Sequence, residues 1–286
     1  MMTSARGTPA FLSLPAIILF TALLIVPMVM MVVLSFQEYD QMLGVASGAT
    51  EENYLTVITD PYYQEIFLRT LGLAAATTLI SILIGAPEAY ILSRMSRQWR
   101  SLFLVICLSP LLISVVVRTL GWAMLFGRHG LINETLLKLG LIAEPMAFLY
   151  TLHGVVIAMV HVCVPFMVIS VWIALQRLDP KVEAAALSLG ASKLTVLRRI
   201  VFPQVLPGIL SGSLIVFALC SSSFATPGII GGRQLKVAAT ATHDEFMSTM
   251  NWPLGAALAI VLLIVNAAVM LSYNRIVERR YARISQ

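Results

Sequence analysis

"VEAAALSLGASKLTVLRRIVFPQVLPG", Val182–Gly208, lies between two long apolar stretches, and its reading decides the fold. It carries Glu183, Lys193, Arg198 and Arg199, and charges at membrane depth are costly. Its alanines, in turn, would make a weak core for a soluble domain. Just upstream, Asp179 before Pro180 predicts a helix start, a carboxylate N-cap followed by proline at the first helical position. Val182–Leu189 continues with strong helix formers. Gly190 is expected to end that helix at positive φ, where glycine pays no Cβ penalty. Ser192 then caps a second helix running through Leu197 to Phe202, with Pro203 expected to close it. An alanine-rich helix pair of this kind lets another backbone approach closely, so the segment is predicted to dock a protein.

The rest of the chain explains why such a segment stands out. Of the 286 residues, 59% are hydrophobic and 12% charged, far from the usual quarter charged in soluble domains. Crossing about 30 Å of hydrocarbon takes about 20 apolar residues in a helix. Six such runs are predicted: Phe11–Phe36, Phe67–Leu92, Leu102–Phe126, Met146–Leu175, Ile209–Ile230 and Leu254–Tyr273. The expected fold is therefore all-α, a polytopic membrane protein of six transmembrane helices. The first run exceeds a usual 7–15-residue signal-peptide core and is expected to be a retained span. Cys107, Cys163 and Cys220 all fall inside predicted spans, so they suggest small packing residues and neither a disulfide framework nor a zinc site.

Lysine and arginine bias sets the expected orientation. With both termini in the cytoplasm, thirteen basic residues (Arg6; Arg94, Arg97 and Arg100; Arg177, Lys181, Lys193, Arg198 and Arg199; Arg275, Arg279, Arg280 and Arg283) fall inside. Only Arg128, Lys138, Arg233 and Lys236 fall outside. The docking segment, about 176–203, then faces the cytoplasm between spans four and five. The first outer loop, Gln37–Ile66, has six acidic residues and no basic one, which the same bias explains without a bound cation. No repeat, low-complexity tract or linker is visible. The expected organisation is an N-terminal peripheral span and outer loop, 1–66, and a core transmembrane domain, 67–286.

The segment resembles the cytoplasmic loop of bacterial ABC importer permeases, which reads Glu-Ala-Ala, Gly, nine residues, then Ile-x-Leu-Pro. The matching residues are Glu183-Ala184-Ala185, Gly190, Ile200 and Phe202-Pro203, with Phe202 in place of leucine. Glu183 stands seven residues before the glycine, one more than in the family pattern, and Ala184 takes the family's position. One residue is about 100° around a helix, so the loop as a whole carries the resemblance better than that side chain. "LRTLGLAAATTLISILIGAPEAYILSR" (Leu68–Arg94), "SPLLISVVVRTLGWAMLF" (Ser109–Phe126), "GLINETLLKLGL" (Gly130–Leu141), "FATPGIIGG" (Phe224–Gly232) and "NWPLGAAL" (Asn251–Leu258) are similar to the spermidine/putrescine subgroup. The resemblance implies a type I importer permease of the bacterial inner membrane and a second permease, the pair forming a heterodimer. It further implies two ATPase subunits holding ATP and Mg, and a soluble binding protein outside. The cargo it implies is a polyamine, or else an opine, phosphonate or other small organic solute. Asp179, Pro180, Glu183, Ala184, Ala185, Gly190, Ala191, Ser192 and Pro203 would couple to the ATPase. The chain is not expected to be an enzyme. It lacks G-x-x-x-x-G-K-[ST], and "GASKLT" (Gly190–Thr195) lacks the phosphate-cradling pattern. Besides lipid and these partners, no cofactor, metal or nucleic acid is expected in this chain.

Polar residues inside the spans supply the candidate pathway. Arg69, near one end of span two, reads as a snorkelling cation, and Glu88, at the other end, as the partner of a nearby arginine. Arg118 either lines the pathway or pins neighbouring helices through backbone carbonyls. Arg118, Trp122, Ser221, Ser222, Ser223, Phe224 and Thr226 form the candidate pathway or gate set. Their core, "CSSSFATPG" (Cys220–Gly228), is expected to interrupt span five. Small hydroxylated residues also permit close helix packing, so that reading stays open beside the gate. His153 and His161 are eight apart and lack a third ligand nearby in sequence. Pro110 and Pro165 are potential kinks. Gly130–Leu141 predicts a short amphipathic helix with Asn133, Glu134 and Lys138 on its polar face. An ion-coupled carrier would call for mid-membrane carboxylates, and a membrane enzyme for H-E-x-x-H or G-x-S-x-G; neither pattern is present.

Overall fold

A computed structural model describes residues 8–40, 42 and 44–282. Arg6 and Arg283 lie outside the described residues. The packing divides into two compact units. One contains the chain up to Gln64 together with Ala241–Ile264, the other Glu65–Thr240 and the chain from Val265.

In the first unit, α1 (Thr8–Ser35) is a long apolar helix, none of whose apolar window is buried. It is followed by a two-stranded antiparallel hairpin, β1 (Gln37–Asp40) and β2 (Gly44–Ala49), which the sequence reading did not anticipate. Its register pairs Gln37 with Ala49 and Tyr39 with Val45, with an irregularity between Gln37 and Tyr39. Next, α2 (Glu52–Thr59) carries a buried Asn53 whose amide donates to the carbonyls of Ser35 (3.0 Å) and Gln37 (2.9 Å), fixing the exit of α1. The Tyr39 hydroxyl donates to the carbonyl of Thr249 at 3.0 Å, which ties the hairpin to the Ala241–Ile264 stretch.

The second unit holds the core. α3 (Pro61–Arg94) is one long helix running through Pro87. The third predicted span is not straight. α4 (Arg97–Leu108) passes into a 3₁₀ turn at Ser109–Leu112, and α5 (Val115–Phe126) restarts after Ser114. The two arms are bent by 98°. Proline removes an N–H and clashes with the preceding turn, so Pro110 produces a break where a kink was expected. α6 (Leu131–Lys138) follows, then α7 (Leu152–Leu175), which stays continuous through Pro165. Among the described residues, five helices are long and apolar enough to cross a membrane, or six when the bent pair counts as one span.

The docking segment forms α8 (Pro180–Ser188) and α9 (Lys193–Val196). Pro203 does not close the second helix. A π turn at Leu197–Val201 leads into α10 (Phe202–Ser221), and the whole stretch from Lys193 to Ser221 passes as one candidate span. The wider turn absorbs the missing N–H and ring of Pro203, as local π adjustments do in membrane helices. α10 ends at Ser221, short of the predicted Ile230, and a second π turn forms at Pro227–Gly231. α11 (Ala238–Met247) and α12 (Trp252–Ala282) are the last described elements.

α7 packs closely on α10. A Cβ on Gly208 would come within 2.6 Å of the Ala174 Cβ and 2.7 Å of the Ser170 carbonyl, so only glycine allows that approach. Farther along the same seam, the buried thiols of Cys163 and Cys220 meet at 3.3 Å, the packing role expected of them. Buried Met159, Met167, Val168, Val171 and Val216 fill the core around them.

Candidate functional site

Local hydrogen bonds build the docking segment. Asp179 caps α8 by accepting from the Lys181 N–H at 2.9 Å, with Pro180 at the first turn. At the far end the Gly190 N–H reaches the Leu187 carbonyl (3.0 Å) and the Ala191 N–H the Ala186 carbonyl (3.1 Å). This is the Schellman closure, with its left-handed residue at Gly190, φ +86°. Ser192 caps the next helix by accepting from the Thr195 N–H at 3.2 Å. Ala186 and Ala191 pack against the core, while Ala184 and Ala185 are exposed. Leu187, Leu189 and Leu194 project outward, Leu189 88% exposed, leaving an apolar tip around the Gly190 turn.

Glu183 is only 9% exposed and ion-pairs with Arg94, the last residue of α3. The Arg94 guanidinium also lies 5.2 Å from the centre of the Tyr90 ring. One charge-assisted contact therefore anchors α8 to the end of α3. Sequence reasoning counted Arg94 only as a charge in a loop; no local signal pointed to its partner.

Glu88, expected to meet an arginine, instead faces the thiol of Cys107. Arg69 does not simply snorkel. It pairs with Glu65 and donates to the carbonyls of Gln234 (3.4 Å) and Lys236 (3.3 Å), tying α3 to the chain between the second π turn and α11. Asn133 also departs from expectation. It is fully buried, not on a polar face, donating to the carbonyls of Gly127 and Met146 (both 3.0 Å) and accepting from the Met146 N–H (2.9 Å).

The candidate gate residues divide by environment. Arg118 is buried and donates to the Pro110 carbonyl across the bend, the pinning alternative. Trp122 donates from its indole nitrogen to Nδ1 of His161 at 3.1 Å, which places the proton of the neutral imidazole on Nε2. The Thr119 hydroxyl donates to the Val115 carbonyl (2.7 Å), so at 3.1 Å it accepts from Thr226. That contact links α5 to the start of the second π turn. Ser221 is buried and Ser223 half-buried, whereas Ser222 and Phe224 are exposed, Phe224 53% so. The Ser222 hydroxyl turns back to the Ala218 carbonyl at 2.8 Å and helps end α10. The interruption predicted at Cys220–Gly228 is present: α10 stops at Ser221, and the Gly228 N–H reaches the Phe224 carbonyl at 2.8 Å. Thr119 and the pairing of His161 with Trp122 escaped the sequence reading because the partners lie 107 and 39 residues away.

A polytopic helical core, a broken third span and a capped helix pair between two core helices describe a membrane transport component. Residues 70–283 match the family model of the binding-protein-dependent transport system inner membrane component, and the chain belongs to that family. It is 32% identical over 249 residues to the spermidine/putrescine transport system permease protein PotB of Escherichia coli, covering 87% of this chain and 90% of that protein. It is 33% identical over 220 residues to the molybdenum transport system permease protein ModB of Mycobacterium bovis, covering 76% of this chain and 81% of that protein. Its fold matches the crystal structure of a bacterial ABC transporter involved in the import of the acidic polysaccharide alginate. The TM-score is 0.81 at 18% identity, over 96% of both chains. The protein is thus a permease subunit of an ABC importer of the inner membrane, a transport component and not an enzyme.

Proposed function

We propose that this permease pairs with a second, different permease and carries a polyamine such as putrescine or spermidine, delivered by a soluble binding protein. The observation that carries the reading is the 32% identity to PotB along 249 residues. The internal engagement of Arg118 agrees with it, since a free cation in the pathway would repel a cationic cargo. Two ATPase subunits, binding ATP and Mg, serve the permease pair, and one of them docks on the Gly190 turn and its exposed leucines. In this reading that turn and both termini face the cytoplasm, which the basic bias supports. The segments 1–66 and 67–286 act as a peripheral and a core domain.

Calorimetry on the cognate binding protein, with putrescine, spermidine and small oxyanions, tests the cargo. Tight binding of a polyamine is expected, followed by its uptake in proteoliposomes containing the whole complex. Tight binding of an oxyanion with none of a polyamine would overturn the assignment.

A further inference from the structure

Beside the docking segment lies a groove of about 450 Å³ that the transport reading does not use. α3 contributes Ile82, Ala86 and Tyr90, α7 contributes Val171, and α10 contributes Phe202 and Ile209. Tyr90 is its one polar side chain among the described residues. The volume falls within the range of about 300–1,000 Å³ typical of small-ligand sites.

The groove has a direction and a depth. Ile82 is twelve residues from Arg94, and Ile209 eleven from Arg198, which at helical rise are about 18 Å and 16 Å. Half of a hydrocarbon core is about 15 Å. With Arg94 and Arg198 set at the bilayer surface, a groove of this length spans one leaflet and is too short for a helix crossing the whole bilayer. At its loop end stand cations. Arg198 lies one turn before Phe202 and is exposed, as is Arg199, and neither has an ion-pair partner among the described residues. Arg94, by contrast, is engaged with Glu183.

We infer that this groove binds an anionic phospholipid of the leaflet on the docking-segment side. One acyl chain lies between α3, α7 and α10, and the phosphate headgroup meets Arg198. Basic pockets between membrane helices select anionic headgroups in this way. The groove wall includes Leu197 and Val201 of the π turn. A seated chain thus braces the turn that joins the docking segment to α10.

Native mass spectrometry tests the assignment on the full chain, co-purified with its partner permease and ATPase in mild detergent. The probes are phosphatidylglycerol and phosphatidylcholine with identical acyl chains. Wild type should retain phosphatidylglycerol about fivefold more strongly per engaged arginine. Arg198→Gln should bring the two lipids toward parity, and Ala86→Phe, which fills the groove, should release both. Equal retention in wild type would overturn the inference, as would unchanged preference in Arg198→Gln. Should Ala86→Phe fail to assemble, the exposed Arg198 still decides. A photoreactive residue at Leu83 should label lipid; exclusive capture of the partner permease would make the groove a subunit interface and refute lipid occupancy.

Discussion

Gly190→Val isolates the turn of the docking segment from everything around it. Gly190 has φ +86°, and a Cβ built there meets nothing within 4 Å. The cost is thus backbone strain alone, with no clash. Holding a non-glycine residue in the left-handed region costs about 1–2 kcal/mol, and a β-branched side chain sits at the upper end. Such strain is too small to unfold a helical core buried around α7 and α10. It is enough to change a local conformational ratio about 5- to 30-fold. The relief open to the chain is to abandon the Schellman closure, giving up the Gly190 and Ala191 hydrogen bonds and re-aiming α8 relative to α9. The Leu187–Leu189–Leu194 tip would then be dispersed. The expected outcome is a complex that assembles but transports poorly, its ATP hydrolysis no longer stimulated by loaded binding protein. Gly190→Asn, which tolerates positive φ better, should retain most of the stimulation. Reconstitution with both partners, comparing ATPase rates with and without loaded binding protein, makes the measurement. Full stimulation and uptake in Gly190→Val would refute the reasoning, and failure to assemble would show that the turn attaches the ATPase instead of transmitting its stroke.

Other substitutions probe the remaining contacts. Glu183→Ala leaves Arg94 without its carboxylate and should destabilise α8 against α3 by about 1–3 kcal/mol; the double exchange Arg94→Glu with Glu183→Arg should recover part of it, read by thermal melting of the detergent-solubilised complex. Ser222→Trp, at an exposed position, should lower uptake in an assembled complex, and Ser223→Trp should do so less cleanly because Ser223 is half-buried. Ser221→Trp, at a fully buried position, should prevent assembly; normal uptake in the Ser222 and Ser223 variants would assign the segment to packing. Gly208→Leu should abolish folding of the core, since even a Cβ there comes within 2.6 Å of Ala174; a membrane-inserted, monodisperse variant would contradict the close α7–α10 approach.

The parts legible in the sequence are those whose physics is local or solvent-driven. Long apolar runs have no stable place but a bilayer or a large core, so the membrane class and most spans follow from composition and length. The caps at Asp179 and Ser192 and the positive φ of Gly190 involve hydrogen bonds spanning only two to five residues. A single sequence suffices to read them.

Tertiary packing decided the rest. A proline in an apolar run is read alike whether it kinks, breaks or is absorbed. Pro165 was accommodated within α7, Pro110 became a 98° bend, and Pro203 was carried by a π turn, because neighbouring helices and side chains determine which freed backbone groups find partners. The bend is held by Arg118 reaching back to the Pro110 carbonyl. Asn133 looked like a surface residue because helical periodicity alone assigned it to a polar face; two distant carbonyls and an N–H buried it. Glu183 and Arg94 are 89 residues apart, and Thr119 and Thr226 are 107 apart. Pairing across such separations depends on which helix faces meet, and a linear pattern carries that information only once the helices have packed.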